Sequence, residues 1–305
     1  MRAVITGGTG AIGMALISEL IARNIEVLVL LKEGSNEQDA LLNHPLVRRI
    51  YCSLEHISEL SLSGEKYDCF YHLAWAGTVG DARNNAELQI GNIKYTVDAA
   101  RLAVRLGCSV FVGAGSQAEY GVTREKLSSH TPTFPQNAYG SAKLCAGHMS
   151  RIACREHGIR HVWARILSVY GPYQSENSIL SYAINQLLGG KPTSFTECKQ
   201  TWDFMYSGDA ARALIALAER GRDGHIYCLG SGKARPLREY IEIVQDKIDK
   251  DAVLGFGVIP YTQGHLMHLE ADIGELVRDT GYVPSTSFEE GIEETIRFYR
   301  VQREE

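Results

Sequence analysis

Tyr139 and Lys143 stand four residues apart in Tyr139-Gly-Ser-Ala-Lys143. On a helix, positions i and i+4 project from one face. An ammonium beside a phenol favours phenolate and lowers the tyrosine pKa toward a range useful for proton transfer. Taken alone, the pair also reads as an exposed helix pair with no chemistry. Upstream, Ser109-Val-Phe-Val-Gly113 reads as a buried strand and is followed by Ala114-Gly-Ser-Gln-Ala-Glu-Tyr-Gly121. Ser116 then falls just past the carboxyl end of a strand, where open α/β sheets place their ligands. There its hydroxyl can hydrogen-bond the same reacting oxygen as Tyr139; the plainer reading is a turn serine. A third feature is Thr6-Gly-Gly-Thr-Gly-Ala-Ile-Gly13. Gly7 allows a tight turn, Gly10 lets a pyrophosphate approach the backbone, and Gly13 lets helix pack close to strand.

These groups need particular elements to hold them. Arg2–Thr6 suits a buried strand, and Ala11–Ala22 has helical periodicity through Ile12, Leu16, Ile17, Leu20 and Ile21. The glycine turn therefore joins a strand to a helix whose first N–H groups and dipole favour phosphate. Asn137–His157 reads as the helix carrying Tyr139 and Lys143, with Pro135 before it and Gly158 ending it. Further strands are expected at Ile25–Leu31, Val47–Ile50, Tyr67–Leu73 and Arg160–Ile166, and a long helix at Asn84–Leu106. Alternating strands and helices imply an α/β fold, a parallel sheet with helices on both faces. From Tyr170 onward the pattern is irregular, with turns at Gly189-Gly-Lys-Pro192, Gly230-Ser-Gly232 and Pro260.

In this order the motifs resemble those of the extended short-chain dehydrogenase/reductases, the group of nucleotide-sugar epimerases, dehydratases and reductases. The resemblance runs nearly end to end. It includes the three glycines, His72-Leu-Ala-Trp75, Asn92, Ser116, Tyr139/Lys143, Ser168-Val-Tyr-Gly-Pro172, Trp202-Asp-Phe-Met-Tyr206 and Gly281-Tyr-Val-Pro284. It implies a Rossmann-type doubly wound parallel sheet spanning residues 1–169, with residues 205–220 returning to it. Residues 170–305 would form mainly a smaller C-terminal substrate-binding lobe. It also implies cofactor contacts from Gly7, Thr9, Gly10, Ala11, Ile12, Gly13, Lys32, Ser53, Leu54, Leu73, Ala74, Trp75, Asn92, Ala114, Tyr139, Lys143 and Ile166. Substrate contacts would come from Trp75, Ser116, Gln117, Tyr139, Ser168, Asn177 and Trp202, and catalysis from Ser116, Tyr139 and Lys143. A homodimer through the long helices is a further expectation from the resemblance.

The cofactor and the reaction can be narrowed. Enzymes of this type that use NAD usually carry an acidic residue ending the second strand. Here that position is Leu31, followed by Lys32. An ammonium suits the 2′-phosphate of NADP, so NADP(H) is favoured over NAD(H). Two alternatives stay open: Glu33 reaching the ribose through a tight turn, and Lys32 as a solvated strand-end lysine. The 4,6-dehydratases of the group carry Asp-Glu immediately after the residue matching Ser116, where this chain has Gln117-Ala118. Neither can act as acid or base, which argues against dehydration. The flanking motifs resemble the reductases of nucleotide-linked 4-keto-6-deoxysugars; a 4-epimerase holding NAD and a non-catalytic cofactor sensor are the alternatives. A sensor has no need of Ser116, Tyr139 and Lys143 together.

Two departures bear on the substrate. Trp202 stands where the epimerases carry an arginine for the substrate diphosphate, and a second arginine has no counterpart in Thr262-Gln-Gly-His265. Loss of both forks weakens bidentate phosphate recognition. Lys199, His265 and His268 read either as replacements or as surface residues, and Trp202 either as a nucleobase platform or as core.

Composition is consistent with this reading. In 305 residues, 45% are hydrophobic and 22% charged, ordinary for a globular chain. A net charge of −5 and a pI near 6.1 argue against nucleic acid as the main partner. Seven cysteines form no CxxC pair and no metal-ligand spacing, which suits the reduced cytoplasm and predicts no metal. No apolar run reaches membrane-spanning length. No signal peptide is expected, since Met1-Arg2 leads straight into the first strand.

Overall fold

Residues 1–35, 40–62, 64–262 and 264–304 are described by a computed structural model. β1 (Arg2–Thr6) is buried on both sides: Ala3 and Ile5 face one apolar cluster and Val4 the other. The same two-sided burial shapes β2 (Glu26–Leu31), β4 (Cys69–His72), β5 (Val110–Ser116) and β6 (Arg160–Ile166), with β3 (Val47–Tyr51) at one edge. Near-continuous Val, Ile and Leu runs of this kind are what a parallel sheet covered on both faces requires. Burying each such side chain contributes about 1.5–3 kcal/mol. The helices between these strands are α1 (Ala11–Ala22), α2 (Ala86–Arg105) and α3 (Ala138–Glu156).

Beyond β6 the chain forms β7 (Ser168–Tyr170), α4 (Ile179–Leu188), β8 (Thr201–Trp202), β9 (Phe204–Tyr206), α5 (Ser207–Arg220), β10 (His225–Leu229), β11 (Arg235–Pro236), α6 (Leu237–Ile248), β12 (His268–Leu269), α7 (Gly274–Thr280) and α8 (Phe288–Glu304). The main sheet has seven strands in the order β10-β6-β5-β4-β1-β2-β3, every neighbouring pair parallel. This is the doubly wound Rossmann order with one strand added beyond β6. α1 and α5 pack together on one face, and α2 and α3 on the other. The order reverses between β1 and β4, so a crevice opens above their carboxyl ends, where such sheets bind ligands.

Three differences from the sequence reading concern boundaries. β5 runs on to Ser116, because its pairing with β6 continues through Ala164, Arg165 and Ile166; Ser116 ends the strand rather than following it. The long helix begins at Ala86: Gly80–Asn84 is a separate 3-10 turn, and Asn85 caps α2 by accepting the Leu88 N–H at 3.0 Å. The sequence reading did not include β10, which pairs with β6 and carries the main sheet past residue 220.

α4, α6 and α8 enclose a second core around Tyr170, Ile184, Phe204, Tyr240, Phe288 and Ile292. Asp203, fully buried between β8 and β9, ties this region to the sheet. Its carboxylate accepts the N–H groups of Ser231, Gly232 and Ala271 and the Ser231 O–H, at 2.6–3.1 Å. One carboxylate thus satisfies three backbone donors.

Candidate active site

The crevice above β1 and β4 is a groove of about 690 Å³, within the usual range of ligand clefts, about 300–1,000 Å³. Its floor is Thr6–Gly10, one wall is Leu73–Gly77, and its far end is Leu30–Lys32, Ser35 and Cys52–Glu55. Gly7 has φ +77°, and a Cβ there would lie 2.6 Å from the Ala74 nitrogen; only glycine allows this turn to press against the β4 loop. A Cβ on Gly13 would overlap the Gly7 carbonyl. Gly10 differs: its φ is −83° and ψ 166°, ordinary extended values, and the nearest atom to a Cβ would be 3.8 Å away. Among the described residues, no atom lies closer than the Gly7 carbonyl to the space a Cβ on Gly10 would take.

The start of α1 is similarly bare. Gly10 provides no side-chain cap, the first turn holds no acidic residue, and the first helical bond is Met14 N–H to Gly10 C=O at 2.8 Å. The N–H groups of Ala11, Ile12 and Gly13 lie ahead of that bond, where an anion is favoured. The Ile12 side chain packs on the core, and Ala11 borders a separate cavity beside Arg212. A glycine-floored groove ending at an uncapped helix fits the pyrophosphate of a dinucleotide.

The loop after β4 is held by a polar set. Asn92, 1% exposed, accepts the Ala76 N–H at 3.0 Å and donates to the Ala76 carbonyl at 2.9 Å. Its amide is thereby occupied, and it reaches the groove through this loop. Gln89, one turn earlier on α2, accepts the Trp75 indole N–H at 2.8 Å and donates to the carbonyls of Gly77 and Ala82. His72 pairs through Nδ1 with Thr6 Oγ1 (2.9 Å) and through Nε2 with Thr96 Oγ1 (3.2 Å). The Thr96 hydroxyl already donates to Asn92 C=O, so Nε2 carries the imidazole proton and Nδ1 accepts. Burial, with the Lys143 charge adding, holds His72 down to about 3, consistent with a neutral ring that locks β1 to β4.

Tyr139 and Lys143 project from the first turns of α3, whose start is capped by Asn137 accepting the Gly140 N–H at 2.8 Å. Both side chains are buried, at 9% and 4% exposure. Ser116 lies close enough to the Tyr139 phenol to bear on its proton affinity, so the structure brings together the three groups singled out from sequence. Ser116 Oγ also accepts the Ala118 N–H at 3.1 Å. Lys143 Nζ donates to the Ala114 carbonyl at 2.7 Å and lies 3.8 Å from the centre of the Trp75 ring. Tyr139 meets Trp75 edge-on at 6.0 Å, and the Arg83 guanidinium covers its ring at 4.5 Å.

The expected lowering of the Tyr139 pKa is not found. Burial pushes the phenol above its ordinary value; the neighbouring Ser116 hydroxyl and the Arg83 charge oppose that shift and Glu119 adds to it. Lys143 directs its ammonium at the Ala114 carbonyl and the Trp75 ring rather than at the phenol, and burial brings its pKa down to about 7 while Glu119 opposes. The free protein therefore presents a protonated tyrosine and a lysine near neutrality, the pattern of a general acid beside a tunable cation.

The remaining expected residues divide. Thr9, Lys32, Ser53, Leu54, Leu73, Ala74 and Trp75 line the groove, and Ile166 ends β6 opposite Ser116. Lys32 is exposed at the far end; Glu33 borders the next depression with His56 and Glu59 rather than the groove itself. Trp202 donates its indole N–H to Ser168 Oγ at 2.7 Å and is half-buried between two apolar clusters. Gln117 is half-exposed in the turn after Ser116. Asn177 is exposed on the turn before α4, its N–H on Ser175 Oγ at 3.4 Å, and among the described residues no contact joins it to Tyr139. Lys199 is paired with Glu197 at 2.9 Å and His268 lies 3.5 Å from Glu270, while His265 lies 3.4 Å from Gln200. Gln263, within the stretch lacking the second arginine, lies outside the described residues.

Sequence reasoning missed Gln89, Arg83 and Glu119. Gln89 and Asn92 sit at i and i+3, a polar interruption on the buried side of α2 that was available as a signal. Glu119 lies in the same motif, one position beyond the Gln117-Ala118 pair that bears on dehydration. It is 1% exposed and turned into the sheet, so it does not replace the missing Asp-Glu.

Residues 3–230 match the NAD dependent epimerase/dehydratase family. The chain is 24% identical over 310 residues to a dTDP-4-dehydro-6-deoxyglucose reductase of Escherichia coli, covering 97% of each. It is 27% identical over 321 residues to UDP-glucuronic acid decarboxylase 1 of Arabidopsis thaliana, covering 98% of this chain and 70% of the relative. Among solved structures, a dTDP-glucose 4,6-dehydratase of Streptomyces venezuelae with NAD bound superposes at TM-score 0.87 and 24% identity, covering 100% and 98% of the two chains. A UDP-glucose 4-epimerase of Thermotoga maritima with UDP-glucose does so at 0.88 and 21%, covering 99% and 100%. At these identities the superpositions establish the fold.

Proposed function

Because the chain belongs to the NAD dependent epimerase/dehydratase family, we propose that it is an NADPH-dependent reductase of a nucleotide-linked 4-keto-6-deoxyhexose. The observation that carries the reading is the grouping of buried Ser116 and Tyr139 beside buried Lys143, with Gln117 and Ala118 following where a dehydratase needs an acid and a base. The resemblance to a reductase over 97% of both chains supports it. When bound, NADPH supplies a hydride to the carbonyl carbon. Tyr139 gives its proton to the carbonyl oxygen, Ser116 holds that oxygen, and Lys143 holds the nicotinamide ribose. These groups act on charge that develops on oxygen, so they favour the transition state over the bound ketone. Gly7, Gly10 and the start of α1 take the pyrophosphate, and Trp202 with Ser168 borders the sugar nucleotide.

The test is to mix the protein, NADPH and a panel of nucleotide-linked 4-keto-6-deoxysugars, following reduced-cofactor absorbance and product configuration. One sugar reduced per NADPH consumed is expected. Interconversion of sugars without net cofactor consumption would establish a 4-epimerase in its place.

NADP(H) is preferred to NAD(H) in this reading, because Lys32 rather than Glu33 borders the groove. Lys32→Glu should weaken NADP(H) more than NAD(H) by on the order of 1–2 kcal/mol, the lower part of the charge-assisted range because the lysine is exposed. Fluorescence titration of both cofactors measures this. Equal weakening of the two would remove Lys32 from the 2′-phosphate site.

A further inference from the structure

Beneath Ser116 lies a buried carboxylate that the reaction described above leaves unused. Glu119 accepts three N–H groups: Ser116 N–H at 2.8 Å, the Trp163 indole at 3.0 Å and Arg165 Nε at 2.6 Å. The first closes a capping box with Ser116, whose Oγ accepts the Ala118 N–H in return. Trp163 is 2% exposed and lies in a trough cleared by three glycines. A Cβ on Gly113 or Gly115 of β5, or on Gly147 of α3, would strike the indole; from Gly115 it would also lie 2.6 Å from Glu119 Oε1. Glycine weakens strand and helix interiors, yet three are placed to admit one ring that donates to this carboxylate. Arg165, 2% exposed, lies over the Tyr120 ring at 4.5 Å, and Tyr120 O–H donates to Ser128 C=O at 2.7 Å. A buried ion pair is weak evidence for stability, since apolar residues of similar volume often do as well. The arrangement converges instead on one backbone N–H, that of the serine facing the substrate.

We propose that Glu119 is a positioning residue: held by Trp163 and Arg165, it fixes the Ser116 backbone so that the serine hydroxyl meets the oxygen protonated by Tyr139. The proposal rests on the roles given to Ser116 and Tyr139 above. Among the described residues, the titratable and charged groups facing Glu119 are Arg165 and His161 from β6, Lys143, Tyr139, His148 and Arg151 from α3, Cys228 from β10, and Tyr120 from its own turn. Its charge raises the proton affinity of Lys143. Without that charge Lys143 loses its proton at lower pH, so the alkaline limb of kcat/KM moves to lower pH.

The experiment uses the panel sugar reduced fastest and compares Glu119→Gln, Ser116→Ala and the double variant. Glu119→Gln should lower kcat by up to about 10²-fold, the scale of a small misplacement at a reacting centre. KM and cofactor affinity should change little, and the alkaline limb should shift down. Measured below the alkaline limb, where Lys143 is charged in every variant, the same change in the Ser116→Ala background should lower kcat no further, since its route through the serine is gone. Independently of turnover, the Ser116 amide should exchange hydrogen faster in Glu119→Gln, because a neutral acceptor holds it less tightly. If Glu119→Gln does not fold, Trp163→Phe keeps an aromatic ring, though a smaller one, and removes one donor, and should give a smaller loss in kcat with cofactor affinity kept. A folded Glu119→Gln or Trp163→Phe with full kcat and an unmoved limb overturns the proposal, as do additive losses in the double variant. Those results leave the reductase reading standing if Tyr139→Phe is inactive; an active Tyr139→Phe defeats that reading instead.

Discussion

Tyr139→Phe is expected to lower turnover by about 10²–10⁴-fold, the usual scale of general acid–base catalysis, with cofactor affinity little changed. The substitution removes one oxygen. The ring keeps its edge contact with Trp75 and its place under Arg83, so the start of α3 has no reason to move. What disappears is the proton donor, whose pKa burial raises, so the phenol stays protonated through neutral pH. The alkaline fall of kcat/KM in the native protein is then expected near pH 7, where Lys143 gives up its charge. Steady-state kinetics across pH, with cofactor titration of the variant, checks both statements. Undiminished turnover in Tyr139→Phe would falsify the acid role whichever sugar reacts.

The second large effect is at the glycine turn. Gly10→Val should leave the protein folded and remove most of its cofactor affinity. Extended backbone angles at Gly10 suit a branched residue, and a Cβ there meets nothing closer than the Gly7 carbonyl at 3.8 Å. The valine therefore fills space that only a ligand would use, at a cost of at least about 1–3 kcal/mol when the two overlap. Gly13→Val is the contrasting control. Its Cβ would overlap the Gly7 carbonyl, so it should destabilise the protein itself. Circular dichroism and cofactor titration of the pair separate the two roles. A folded Gly10→Val that binds as tightly as the native protein would reduce the turn to a structural device.

These expectations could be drawn early because the groups they concern are local. The Arg2–Thr6 strand, the glycine turn and the periodicity of Ala11–Ala22 lie within one short stretch, and the observed β1 and α1 keep the same bounds. The Tyr139 helix likewise shows its own ends in Asn137 and Gly158. Features made by distant pairing were not legible. β10 is a five-residue strand following an irregular region, and it becomes a strand only by pairing with β6. From sequence Ser116 falls just past a strand ending at Gly113, yet pairing of Gly115 and Ser116 with Arg165 and Ile166 keeps it extended. An acid in a turn motif reads as surface. That Glu119 is buried depends on Trp163 and Arg165, more than forty positions away. The Tyr139 shift was misjudged for a related reason: spacing gives proximity to Lys143, whereas burial, which decides the sign, belongs to the whole fold.

The late arrival of β10 also bears on how this molecule is made. Until His225–Leu229 leaves the ribosome, β6 has an open side, and residues 162–166 expose unpaired strand edge along a largely buried, apolar stretch. Such an edge invites pairing with other chains. α5, which covers α1, must also be synthesised before that face is closed. The nascent chain therefore has no finished stopping point at residue 169, and a fragment cut there should be sticky rather than soluble. Everything between β6 and β10, including the strands bearing Ser168 and Trp202, is threaded through before the sheet can close, which couples the birth of the glycine-floored groove to that of the lobe beside it.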